Sequence, residues 1–107
     1  MSKTSKKVMI SETHPTWIEF DADALRHNLR IVRKSVRPAT QIIASVKANA
    51  YGHGVVSVSQ VLEDEGVEML ATGSFSDAQA IRLAGVRTPI LMLAGTLPGG
   101  MPNLIQE

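Results

Sequence analysis

Three short, almost uninterrupted apolar runs, spaced by segments of helical periodicity, constrain this chain more than any other feature. They are Gln41–Lys47 (QIIASVK), Val67–Thr72 (VEMLAT) and Pro89–Ala94 (PILMLA). The first is nearly continuous and predicts a strand buried on both faces, the second predicts a strand, and the third another buried strand. Between the first two runs, Val55, Val58 and Leu62 fall on one face of a helix expected from about Gly54 to Gly66. Before the third, Ser76-Asp77-Ala78-Gln79 fits an S-x-x-Q capping box, in which the two end side chains satisfy each other's backbone donors. Its helix should run through Ile81 and Leu83 to Gly85. Upstream, Trp17–Phe20 (WIEF) predicts a short strand, and Asp21 stands where an N-cap belongs. Leu25, Leu29, Val32 and Val36 then make one apolar stripe, ended by Pro38. The βαβαβ order predicts an α/β fold with parallel strands and helices covering the sheet. A doubly wound sheet and a barrel both satisfy that pattern.

Length narrows the outcome. The 107 residues hold one small domain, expected over residues 16–107, whereas a complete α/β barrel takes roughly 250 residues. Residues 1–15 (MSKTSKKVMISETHP) carry Lys3, Lys6 and Lys7 against the single acid Glu12 and predict a solvated basic tail. Its apolar run, Val8 to Ile10, is too short for a signal peptide, and no later segment approaches a membrane span. A cytoplasmic protein with no membrane partner is expected. A net charge of +1 gives no general drive toward nucleic acid. Arg26, Arg30, Arg33 and Arg37 line one side of the first helix, and without interleaved aromatics they predict a solvated face. Glu63-Asp64-Glu65 is likewise expected to be solvated surface. With no cysteine, thiolate catalysis and disulfides are excluded. His14, His27 and His53 show no metal-ligand spacing, so no metal site is expected.

The chemistry concentrates in Val46–Gly54, V-K-A-N-A-Y-G-H-G. Lys47 closes an apolar run and precedes a glycine turn that opens a helix. Ligands of α/β folds gather at the carboxyl ends of strands, where such turns lie. A lysine with its stem among apolar neighbours is desolvated, its pKa falls, and its amine becomes a nucleophile. Gly52 and Gly54 would let backbone approach a ligand, and the helix start would offer free N–H groups to an anion. Tyr51 adds a hydroxyl. The bland alternative is a solvated lysine beside an ordinary turn. The motif is neither GxGxxG nor a P-loop.

At this point the sequence resembles a known family. VKANAYGHG is similar to the cofactor-lysine motif of alanine racemases, pyridoxal 5'-phosphate enzymes built on an α/β barrel plus a β-domain. The upstream run TWIEFDADALRHNLRIVR and the downstream run FSDAQAIRLAGVRTPILMLAG resemble the same family's flanking elements, so the resemblance spans about residues 16–95. Basic amino-acid decarboxylases of related fold lack the YGHG continuation. The resemblance implies the N-terminal part of a (β/α)8, TIM-like barrel, incomplete at this length. It also implies pyridoxal 5'-phosphate as cofactor, alanine as substrate, a homodimer for the complete enzyme, and D-alanine, a peptidoglycan precursor, as product. By position Lys47 would be the catalytic residue and covalent cofactor anchor, exchanging the α-proton on one face. Tyr51 would hydrogen-bond the cofactor phosphate.

The same resemblance implies what is missing. The family's second base is a tyrosine from the partner subunit's β-domain, and Tyr51 is the one tyrosine here. Arg82 and Arg87 do not match the arginine that faces the pyridine nitrogen in the family. The 107-residue chain is therefore expected to lack efficient racemase activity and to be poorly soluble or molten. Two alternatives stand beside this. One is a non-catalytic fragment that binds pyridoxal 5'-phosphate or another phosphate, or a partner-binding remnant. The other is slow transamination or α-proton exchange without control of the second face.

Overall fold

In the computed structural model, which describes residues 18–94, the helix stop and start signals place most elements as expected. Contacts divide the chain into two units, Met1–Thr40 and Gln41–Glu107. The first unit contributes α1 (Ala22–Ser35). Asp21 caps it, its carboxylate accepting from the Ala24 N–H at 3.1 Å, and Asp23 in the first turn pairs with Arg26 at 3.4 Å. Of the apolar stripe only Leu29 is fully buried, while Val32 and Val36 remain exposed. Residues 18–20 form no strand, because no described residue offers them a ladder partner. Trp17, the basic tail and the Thr96–Glu107 segment lie outside the described residues.

The second unit runs β1 (Ile43–Ser45), α2 (Lys47–Tyr51), α3 (Val55–Asp64), β2 (Met69–Thr72), α4 (Phe75–Leu83) and β3 (Ile90–Met92). The strands form a parallel sheet in the order β1-β2-β3, with Ala44 opposite Leu70 and Leu70 opposite Ile90. Parallel neighbours put all three strand carboxyl ends at one end of the sheet. Val55, Val58 and Leu62 are buried as expected, joined by Val61. Together with Ala78 and Ile81 of α4 and Leu70 of β2 they make the core.

The buried strands expected over residues 41–47 and 89–94 are only half-buried; the buried strand is the central one, β2, whose Leu70, Ala71 and Thr72 are buried. In β1 the alternation is exposed, half-buried, exposed. In β3 it is half-buried, exposed, half-buried. By register Ile43, Ser45, Ala71 and Leu91 share one face, and Ala44, Leu70, Thr72 and Ile90 share the other. Leu70 and Thr72 are fully buried, whereas on the first face Ile43, Ser45 and Leu91 are exposed on either side of the buried Ala71, so that face is open along its two edge strands.

The start of α4 corrects the sequence reading. Its N-cap is Ser74, not Ser76: the Ser74 hydroxyl accepts from the Asp77 N–H at 3.3 Å. Ser76 instead lies inside the first turn, its hydroxyl 2.7 Å from that of Ser74. Capping two residues earlier gives Phe75 a helical position and brings Asp77 into the first turn.

Candidate functional site

The ladder between β1 and β2 continues one residue past Ser45, where the Val46 N–H donates to the Ala71 carbonyl at 2.8 Å. Then the backbone reverses its hand. Ala48, Asn49 and Ala50 take φ of 53°, 56° and 54° with ψ of 45–49°, and Tyr51 follows at φ 55°. This is a left-handed helical turn built from four residues that are not glycine. Such a conformation costs an L-residue about 1–2 kcal/mol. Strain of that kind persists only where surrounding contacts over-determine it, and it collects at functional sites.

The supporting bonds are specific. Ala50 N–H donates to the Val46 carbonyl at 2.8 Å, and Ala50 itself is buried. The Asn49 carbonyl accepts from Gly52 N–H at 3.1 Å and Gly54 N–H at 3.0 Å. The Asn49 side-chain oxygen accepts from Val55 N–H at 2.8 Å, capping α3 in place of Gly54, which has no side chain to do so. From α4, the Asp77 carboxylate accepts the Asn49 N–H at 3.2 Å. Gly52 (φ 89°) and Gly54 (φ 96°) complete the turn at backbone angles that L side chains rarely adopt.

The N–H groups of Gly52, His53, Gly54 and Val55 are all engaged within the turn, the His53 N–H on the Ala50 carbonyl at 3.1 Å. Those four donors are therefore held by the turn itself. The glycines serve the turn's geometry, and open space surrounds them: a Cβ placed on either meets nothing within 4 Å.

The left-handed turn folds the chain back over the end of β1. Tyr51 is 58% exposed, and its hydroxyl lies 3.2 Å from the Ser45 hydroxyl on the open face of the sheet. Lys47 is exposed at the start of the same turn. Lys47 and Tyr51 flank one rigid element at the carboxyl end of a parallel strand, with open space beside the glycines that follow. His53 is exposed. Sequence reasoning missed Ser45, Asn49 and Asp77. An asparagine among alanines before G-H-G was the available signal, since Asn enters the left-handed region more readily than most residues.

Glu63 also departs from its expected role as solvated surface. Its carboxylate accepts from Arg87 N–H at 2.6 Å, Thr88 N–H at 2.8 Å and the Thr88 hydroxyl at 2.9 Å. The Arg87 N–H, chiefly, holds this carboxyl below its usual range against the opposing effect of burial. The Thr88 hydroxyl and N–H, and the Arg82 charge, act in the same direction as Arg87. Arg82 donates to the carbonyls of Val86 and Thr88 at 3.0 and 2.8 Å, so acid and base together fix the link into β3.

Comparison with known proteins matches this arrangement to one family. The model of the alanine racemase N-terminal domain matches residues 20–107. The chain is 45% identical over 92 residues to an alanine racemase of Desulforamulus reducens, covering 86% of this chain and 25% of that protein. Among solved structures, an alanine racemase of Clostridium difficile 630 superposes with a TM-score of 0.76 at 34% identity, over 78% of this chain and 22% of that one. A histidine racemase from Leuconostoc mesenteroides subsp. sake superposes with a TM-score of 0.71 at 26% identity, over 79% of this chain and 23% of that one. The chain spans about a quarter of the length of the curated relatives it matches. The three parallel strands and their helices are the start of a TIM-like barrel. No helix among the described residues is long and apolar enough to cross a membrane.

Proposed function

We propose a function from one premise: this chain belongs to the alanine racemase N-terminal-domain family. Its role is to carry the cofactor lysine of a racemase that interconverts L- and D-alanine. The observation that supports this most directly is the strained left-handed turn that displays Lys47 and Tyr51 at the carboxyl end of β1. Fold alone would not choose the substrate, because a histidine racemase shares this part of the barrel. The curated relatives, named alanine racemases, favour alanine.

The residues fit pyridoxal 5'-phosphate. Lys47 offers an exposed amine, Tyr51 an exposed hydroxyl, and the space beside Gly52 and Gly54 is open. When bound, the cofactor supplies an electron sink for the α-carbanion of an amino acid. Lys47 would hold it covalently through Nζ and, once freed, would move the α-proton on one face of the substrate. Tyr51 would donate its hydroxyl to the phosphate, oriented by Ser45 3.2 Å away. The opposite face calls for a second acid–base group. By the family resemblance we assign that group to a tyrosine of the partner subunit in a cytoplasmic homodimer. The D-alanine formed would serve as a peptidoglycan precursor.

Titration of the chain with pyridoxal 5'-phosphate tests the reading. The absorbance of a covalent lysine adduct should develop, and Lys47→Ala should abolish it. Equal signals from both chains would refute Lys47 as the anchor.

A further inference from the structure

We propose that Asp77 is a positioning residue for Lys47 and Tyr51, acting through the backbone of Asn49. The inference rests on the reading of those two residues given above. The topology makes the contact possible: β1 and β2 are parallel neighbours, so the link from Thr72 into α4 emerges beside the end of β1. The Ser74 cap starts α4 immediately and sets Asp77 in its first turn. From there its carboxylate accepts the Asn49 N–H at 3.2 Å, across 28 residues of sequence.

Asn49 is the middle of the left-handed segment, flanked by Ala48 and Ala50 at the same handedness. The bonds from its carbonyl and side chain stay within residues 49–55. Asp77 reaches this residue from a different element. Its carboxylate thus ties the hand of the turn to the helix that packs on the sheet, and the hand of the turn decides where Lys47 and Tyr51 emerge. An ordinary role for an acid at this position is to complement the α4 dipole. The two roles separate in Asp77→Asn, which loses the charge and keeps an acceptor oxygen.

The experiment compares the full 107-residue chain with Asp77→Ala and Asp77→Asn, using amide hydrogen exchange at Asn49 and titration with pyridoxal 5'-phosphate. Loss of one hydrogen bond to a charged group should speed Asn49 exchange in Asp77→Ala by about tenfold. It should raise the half-saturating cofactor concentration by about tenfold as well. Ala78–Leu83 should stay protected, and Asp77→Asn, which keeps a neutral acceptor, should fall between the wild type and Asp77→Ala in both readouts. Unchanged Asn49 exchange in Asp77→Ala would overturn the proposal. So would Asp77→Asn behaving like Asp77→Ala, or protection lost evenly along α4, since either marks a role in α4 alone. If the wild type forms no adduct, the cofactor reading fails while the exchange comparison still decides the role of Asp77.

Discussion

Asn49 uses its N–H, its carbonyl and its side chain within one strained turn, bonding Asp77, Gly52, Gly54 and Val55. Alanine would keep the two backbone groups and lose the cap on Val55. Loss of a helix cap costs about 0.5–2 kcal/mol, and alanine adds the left-handed penalty that asparagine largely escapes. Asn49→Ala should therefore speed exchange of the Val55 amide while Asn49→Asp, which keeps the acceptor, should not. Little of this was legible in the sequence. K-A-N-A-Y has the composition of an ordinary right-handed turn, and only bonds to distant residues select the opposite hand. Lys47 and Tyr51 stand out as candidates in the V-K-A-N-A-Y-G-H-G string. Their geometry was not legible, because an exposed lysine on a left-handed turn has no periodic signature.

At the scale of elements, the helix boundaries were the clearest signal. Asp21 caps α1, and α3 and α4 stop before Gly66 and Gly85 as their spacing predicts. The cap of α4 was displaced by two residues because Ser74 and Ser76 are chemically alike, and only the geometry at Phe75 decides between them. Glu63 was misjudged for a different reason: its partners Arg87 and Thr88 lie 24 and 25 residues away. Its pKa, lowered by those donors, sets a pH dependence. The clamp's stabilisation is complete above the carboxyl's unfolded pKa of about 4.3 and is lost as pH falls through the folded value. Protection of the Arg87 and Thr88 amides, corrected for intrinsic exchange, should drop in that acid range. Glu63→Gln should weaken the link into β3 by about 1–2 kcal/mol at neutral pH and remove that pH dependence.

For the whole molecule, the alternation of runs and helices predicted an α/β fold with parallel strands, and the sheet has that form. Barrel and doubly wound sheet shared the pattern, so the choice between them came from family membership rather than periodicity. Burial on both faces was over-read, because a continuous apolar strand records the face that some other part of a barrel covers. Ile43 and Leu91 remain exposed on the open face, which also carries Ser45 and its contact with Tyr51. The proposed chemistry lies on that face, with Lys47 proposed to carry the cofactor. The direct measurement is borohydride reduction of the chain mixed with pyridoxal 5'-phosphate, followed by digestion and mass mapping of the modified peptide. A single dominant modification on Lys47 is expected. A label spread evenly over the surface lysines, Lys34 included, would contradict it.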